Sequence, residues 1–312
     1  MNEFTKGKPM LECPLRIEDV SPLPEDKVGL AVLGAPIKHS ISPQLHHAAL
    51  EELSARAPNF SNWQYHKIEV ESKDLASALP YLARCGYRGL NLTIPHKVEV
   101  FSLLDTIDPE ARNIGAVNTL KFDGSKWQGF NSDGYGLEHA LLGKLQVPLV
   151  SANVVVLGAG GAARAAAAQA LSRGCKSLWI GNRSALRLEE LIGELRNSFN
   201  TSCVSTFEIS QIPLALFKIE ELVIINATAL GLEKNDPSPI SLRDFPFSTK
   251  VYDMIYNPPE TSLLRQAKLM GMDYENGLSM LVHQAVRSLS IWTEQEVSVQ
   301  AMFNGARSAI PN

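Results

Sequence analysis

The sequence predicts an α/β protein of two domains, and three observations carry that expectation. The chain has 312 residues, more than a single hydrophobic core usually serves. Short apolar runs at Val28–Leu33, Lys176–Gly181, Leu222–Asn226 and Val251–Ile255 alternate with stretches of helical period. Most specific is Val154-Val155-Val156-Leu157, which runs into Gly158-Ala159-Gly160-Gly161-Ala162-Ala163 and then an alanine-rich helix.

That turn meets the pattern G-x-G-x-x-G/A at Gly158, Gly160 and Ala163, in the setting the pattern needs. Gly158 permits the tight turn, and Gly160 lets a pyrophosphate approach bare backbone. Ala163 lets the helix lie close to the strand. Ala159, Gly161 and Ala162 complete the helix N-terminus that faces the phosphates. A ligand-free strand–helix turn is the plainer account; the position between strand and helix favours a dinucleotide site in a Rossmann-type, doubly wound domain.

The next strand ends at Asn182-Arg183-Ser184, about where an NAD binder places an acid for the ribose 2′-OH. No acid is there. Arg183 and Arg187, with Asn182 and Ser184 as hydrogen-bonding neighbours, suit a 2′-phosphate, because guanidinium groups pair with it bidentately. The expected cofactor is NADP(H). A solvated helix start is the competing account of the same residues.

The bulk numbers exclude several classes. A net charge of −4 gives no drive toward nucleic acid or anionic membrane. No apolar run approaches the roughly 18 residues of a membrane span. Residues 1–27, with Pro9, Pro14, Pro22 and Pro24, lack a signal-peptide core and read as a loosely ordered extension. Cys13, Cys85, Cys175 and Cys203 are scattered without C-x-x-C spacing, which fits reduced thiols in a cytoplasm. The histidines form no His-x₃-His pair, so no metal site is expected.

In chain order, Val28–Leu33 is a strand ending at Gly34. Ser42 then fits an N-cap and Pro43 the first helical position. Ser40 and Ser42 beside free helix N–H groups form a small anion site without an arginine, suited to a carboxylate; capping alone is the plainer role for Ser42. Tyr65–Val70 reads as a strand and Ser72–Cys85 as a helix interrupted at Pro80. Asn91-Leu92-Thr93-Ile94-Pro95-His96-Lys97 follows, with Pro95 starting a helix through Leu104. Lys97 in its first turn opposes the helix dipole, so local stability does not choose it. A solvated lysine and one with a proton to give are the two readings.

Asp123-Gly124 signals a two-residue hairpin that would set Asn118 opposite Gly129. Asn118 and Asn131-Ser132-Asp133 then meet at its open end and suit a polyhydroxylated ligand; capping the next helix is the plainer role for Asn131 and Asp133. Tyr135–Leu145 is a connecting helix. The turn Asn226–Gly231, carrying Thr228, lies at a strand's carboxyl end, where doubly wound sheets hold ligands. Tyr256 follows the next strand, and Gly277 and Gln284 open the C-terminal helix through Trp292. A ligand contact and a backbone-satisfied polar group compete for Gln284.

With these motifs laid out, the chain resembles the shikimate dehydrogenases from about Val28 onward. The motifs are His39-Ser40-x-Ser42-Pro43, Asn91-x-Thr93-x-Pro95-x-Lys97, Gly115–Thr119, Asn131-Ser132-Asp133, Gly158–Ala163, Asn182-Arg183-Ser184, Asp253-x-x-Tyr256-x-Pro258 and Met280-Leu281-x-x-Gln284. The resemblance implies reversible NADPH-dependent reduction of 3-dehydroshikimate to shikimate, on the way to chorismate and aromatic amino acids. It implies Lys97 and Asp133 as the catalytic pair, and Ser40, Ser42 and Tyr256 at the substrate carboxylate. Thr93, Asn118, Ser132 and Gln284 would meet ring hydroxyls, Ser132 standing for a more usual threonine. Gly277 would line the nicotinamide site. Ala229, Leu232 and His47 depart from the pattern.

The resemblance also divides the chain. It implies an N-terminal extension (1–27), a discontinuous α/β substrate-binding catalytic domain (28–133 plus 282–312) and an NADP-binding Rossmann domain (134–281), in a monomer or homodimer. Two rival readings are a quinate/shikimate dehydrogenase using NAD, which would want an acid near Asn182, and a non-enzymatic ligand sensor, which would tolerate loss of Lys97 or Asp133.

Overall fold

The computed structural model describes residues 13–310 apart from 234. They form two compact units: residues 13–107, Val117–Phe130 and 285–310 in the first, Asp108–Ala116 and Asn131–Gln284 in the second. Both are α/β, as the sequence predicts.

The first unit is built on seven strands: β1 (Leu15–Arg16), β2 (Val28–Gly34), β3 (Trp63–Glu69), β4 (Tyr87–Leu92), β5 (Thr106–Ile107), β6 (Thr119–Phe122) and β7 (Trp127–Phe130). Their order is β1-β3-β2-β4-β6-β7-β5, with β6 antiparallel to both β4 and β7. β2 is buried along nearly its whole length, and helix Ser42–Arg56, which buries Leu45, Ala49, Leu50 and Leu53, packs against neighbouring β3. The C-terminal helix Val299–Ala309 lies against that helix at Gly305, where a Cβ would strike the Gln44 carbonyl.

Three local expectations change here. Residues 1–12 of the extension lie outside the described residues, but the rest is docked: β1 pairs with β3, Val20 is buried, and Leu23 N–H donates to the Cys85 carbonyl at 2.9 Å. The helix Leu75–Arg84 runs through Pro80 without a break, since the ring removes one backbone bond while Leu75, Ala78, Leu79 and Leu82 stay buried. The hairpin pairs Phe122 with Trp127 and Leu120 with Gly129, so four residues turn. Asp123 Oδ1 accepts from Ser125 N, Ser125 Oγ and Lys126 N at 2.8–2.9 Å, which stabilises the longer loop. Asn118 is therefore not opposite Gly129; the slip is two residues and leaves the faces unchanged.

The second unit holds a parallel sheet of β8 (Asn153–Leu157), β9 (Ser177–Asn182), β10 (Val204–Glu208), β11 (Leu222–Asn226), β12 (Lys250–Asp253) and β13 (Tyr274–Asn276). Its order, β10-β9-β8-β11-β12-β13, is the doubly wound 3-2-1-4-5-6 arrangement. Val154, Val156, Val223 and Ile225 face one core, and Val155, Leu157, Leu222 and Ile224 the other. Both faces are covered, which is why these strands read as continuous apolar runs.

Candidate active site

In the first unit the loop after β2 carries Ser40 and Ser42. Helix Ser42–Arg56 takes Ile41 as its N-cap, so Ser42 is already helical and its hydroxyl does not cap. The expected N-cap role for Ser42 is thus corrected. Pro43 fixes the register one residue later than expected, within the first turn where a missing N–H is harmless. Ser40 Oγ accepts the Ser42 N–H at 3.3 Å, and the two hydroxyls lie 3.1 Å apart. His47, a departure from the family pattern, accepts the Tyr65 N–H at 3.1 Å and ties this helix to β3.

The end of β4 carries Asn91 and leads to Thr93 and Lys97. Thr93 N–H donates to Leu33 at 3.0 Å, and its carbonyl accepts from His96 N–H at 2.9 Å. The helix holding Lys97 is only His96–Glu99, passing into a 3₁₀ turn at Val100–Leu103. So short a helix has little dipole, and the expected helix through Leu104 and the dipole argument for Lys97 both fall away. Buried His96 pins the turn instead, with Nε2 2.8 Å from the Val70 carbonyl. The Lys97 carbonyl accepts from Val117 N–H at 2.8 Å, and Asn118 N–H donates to Phe130 at 3.1 Å. Ser40, Ser42, Thr93, Lys97 and Asn118 thus all belong to this unit, on the loops following β2 and β4 and just before β6.

In the second unit, helix Asp133–Gly143 begins at the polar cluster. Asn131 is the cap: its Oδ1 accepts from Asp133 N–H at 2.9 Å and Gly134 N–H at 3.3 Å. The Ser132 side chain makes no cap bond, and Ser132 and Asp133 are both buried. Gln284 is brought to the same helix, because Gly136 leaves no room for a Cβ between it and the Met280 carbonyl and Gln284 Cβ.

The fingerprint turn follows β8. Gly158 has φ +116°, and a Cβ there would lie 2.9 Å from the Ala227 carbonyl, so only glycine fits. Gly160 is the N-cap of helix Gly161–Ser172, and a Cβ on Gly160 or Gly161 would meet nothing within 4 Å. Bare backbone at a helix start with open space beside it fits a pyrophosphate. Ala163 is fully buried, as close helix–strand packing requires, while Ala159 is half-buried and Ala162 exposed. The β9 end is adjacent, since Gly158 N–H donates to the Gly181 carbonyl at 2.7 Å. There Arg183 and Arg187 are exposed, Ser184 Oγ caps helix Ala185–Arg196, and Asn182 Nδ2 donates to the Ser184 carbonyl at 3.1 Å.

Thr228 Oγ1 donates to Asn226 Oδ1 at 2.7 Å and accepts from Leu230 N–H at 3.1 Å, which shapes the turn after β11. A buried network missed by sequence reasoning holds that turn to the next one. Asn226 Nδ2 donates to Asp253 Oδ1 at 3.0 Å, and Thr261 Oγ1 donates to Asp253 Oδ2 at 2.7 Å. Burial pushes the Asp253 carboxyl up, against these hydrogen bonds, and burial also raises the Tyr256 phenol. Gly277 sits where a Cβ would strike the Met254 carbonyl.

A doubly wound unit with a phosphate-ready turn, together with an α/β unit that carries a lysine, hydroxyls and an amide on the loops after β2 and β4 and before β6, defines a nicotinamide-nucleotide-dependent oxidoreductase. The shikimate dehydrogenase substrate-binding domain profile matches residues 32–120, and the shikimate 5′-dehydrogenase C-terminal domain profile residues 277–302. The chain belongs to the shikimate dehydrogenase family. It is 38% identical to shikimate dehydrogenase (NADP(+)) of Geobacter metallireducens over 268 residues, covering 86% of this chain and 91% of that one. The Bacillus subtilis enzyme of the same name is 36% identical over 273 residues, with 87% and 93% covered. Shikimate 5-dehydrogenase from Thermus thermophilus, solved with NADP(H) and shikimate, aligns with a TM-score of 0.78 at 34% identity, over 91% of this chain and 100% of that one.

Proposed function

We propose that this protein catalyses the reversible NADPH-dependent reduction of 3-dehydroshikimate to shikimate, in the cytoplasm and as a monomer or homodimer. The observation that carries the reading is the Ser40–Ser42 hydroxyl pair at 3.1 Å, at a helix start that Ser42 does not cap. Two hydroxyls set side by side suit a carboxylate, and the names of the relatives supply an acid of that kind. Free thiols at Cys13, Cys85, Cys175 and Cys203 support a reducing compartment.

Bound NADPH supplies a hydride. The backbone from Gly158 through Ala163 receives the pyrophosphate, with Thr228 in the neighbouring turn. Arg183 and Arg187, with Asn182 and Ser184, hold the 2′-phosphate, and Gly277 gives the nicotinamide close access to backbone. Ser40, Ser42 and Tyr256 hold the substrate carboxylate. Thr93, Asn118, Ser132 and Gln284 orient the ring through its hydroxyls. Lys97 delivers a proton to the C3 oxygen as the alcohol forms, with Asp133 as the second member of the catalytic pair.

An NAD-using quinate enzyme would want an acid where exposed Arg183 stands. The test is turnover by purified protein of shikimate with NADP⁺, against quinate and NAD⁺ in parallel. Preference for shikimate and NADP⁺ is expected; preference for quinate with NAD⁺, or no turnover of either acid, overturns the reading.

A further inference from the structure

Behind Asn118, side chains distant in sequence form one hydrogen-bonded chain within the first unit. The Tyr65 hydroxyl donates to Asn91 Oδ1 at 2.8 Å. Asn91 Nδ2 donates to Ser288 Oγ at 2.9 Å, and at 3.2 Å to Thr119 Oγ1 and the Asn118 carbonyl. Ser288 Oγ and Thr119 Oγ1 are 2.8 Å apart, and Thr119 Oγ1 donates to Asn118 Oδ1 at 3.0 Å. Tyr65, Thr119 and Ser288 are fully buried.

The direction of the chain follows from its fixed members. The Asn118 carbonyl can only accept, so the Asn91 group beside it is the amide nitrogen, and the Asn91 oxygen faces Tyr65. Ser288 Oγ accepts from Asn91, and in its pair with Thr119 it is the donor, because Thr119 has no second proton to offer. Thr119 in turn has one proton, directed to Asn118 Oδ1. With its oxygen engaged this way, the Asn118 carboxamide turns its N–H₂ side to whatever it binds. Packing alone would accept alanine at 288, between buried Ala285 and Leu289, and a buried hydroxyl is costly unless hydrogen-bonded.

We propose that Tyr65, Asn91, Ser288 and Thr119 form a positioning relay that holds the Asn118 carboxamide one way round. Asn118 then reads a non-reacting ring hydroxyl as an acceptor, and that hydroxyl gives its own proton to another group. This rests on the assignment of Asn118 to the substrate ring.

The experiment compares kcat/KM for shikimate and for analogues lacking one non-reacting ring hydroxyl, in wild type, Ser288→Ala, Ser288→Thr and Tyr65→Phe. Ser288→Ala should lose about two- to tenfold with shikimate, the worth of one net hydrogen bond. KM for NADP⁺ should hold, and Ser288→Thr should restore the rate. For the analogue without the hydroxyl that Asn118 reads, the difference between wild type and Ser288→Ala should vanish. Equal losses with every analogue, a matching rise in KM for NADP⁺, or no loss with shikimate overturns the relay. A wild type that does not turn over shikimate overturns the functional reading instead. The relay is then judged by the Asn118 side-chain amide NMR signals, which should shift in Ser288→Ala and return in Ser288→Thr; unchanged signals overturn it.

Discussion

Ser40 and Ser42 hold each other: the Ser40 hydroxyl accepts the Ser42 backbone N–H at 3.3 Å and lies 3.1 Å from the Ser42 hydroxyl. Because Ile41 is the N-cap, the Ser42 side chain adds nothing to the helix end. Ser42 is half-buried and its hydroxyl bonds to Ser40, so Ser42→Ala should cost no more in denaturant unfolding than the roughly 0.5–1.5 kcal/mol of one net hydrogen bond, with no cap lost. Ser40→Ala and Ser42→Ala should both raise the dissociation constant for shikimate while NADP⁺ affinity holds. Unchanged shikimate binding in both variants would leave the pair as loop structure.

Cofactor choice rests on the exposed arginines at the β9 end. Only NADP⁺ carries the 2′-phosphate, and a hydrogen bond to a charged group is worth about 1.5–3 kcal/mol. Arg183→Ala should raise KM for NADP⁺ by about tenfold or more, with a much smaller change for NAD⁺. Equal losses with the two cofactors would show that Arg183 does not read the phosphate.

What the sequence showed and what it hid divide along physical lines. Leu222–Asn226 is legible to the residue because a strand buried on both faces leaves an unbroken apolar run between polar turns. β10 and β13 are not, because each lies at a sheet edge; β10 buries only Phe207, and β13 spans three half-buried residues. The hairpin register depended on Asp123 gathering three donors, a choice that Asp-Gly alone does not reveal. Candidate site residues next to glycine and proline punctuation, such as Ser42, Lys97 and Gly158, stood out. Pairings made only through tertiary contact did not: Asn91 and Ser288 are 197 positions apart, and Asn226 meets Asp253 across two parallel strands.

The chemical step gives the third prediction. Lys97→Met keeps most of the length and apolar stem but removes the proton. Proton transfer by a positioned group contributes about 10²–10⁴-fold, so kcat should fall at least about 10²-fold with NADP⁺ binding nearly unchanged. Asp133→Asn should also slow turnover, and the double variant should lose less than the product of the single losses, as residues acting as a unit do. Near wild-type kcat with a raised KM alone would make Lys97 a binding residue.

Acid sensitivity of the first unit should trace to His46. It is fully buried, stacked on Tyr65 with ring centroids 4.1 Å apart and tilted against Trp292 at 5.5 Å. Among the described residues neither ring nitrogen has a partner within hydrogen-bonding limits. Burial, with the neighbouring His47, pushes its pKa down to about 3, and the nearby Asn91 amide offsets only part of that. The folded value lies below the unfolded one of about 6.5, so the unfolded chain takes up the proton first. The stability that neutral His46 supports is complete above that unfolded value and is lost as pH falls from there toward about 3. The slope is about 1.4 kcal/mol per pH unit where the unfolded side chain is charged and the folded one is not. Urea unfolding of wild type between neutral pH and about pH 4.5 should show this loss, while His46→Phe, which keeps a stacking ring without a titrating nitrogen, should show a shallower one. Parallel pH profiles for the two proteins would assign the acid sensitivity to another group.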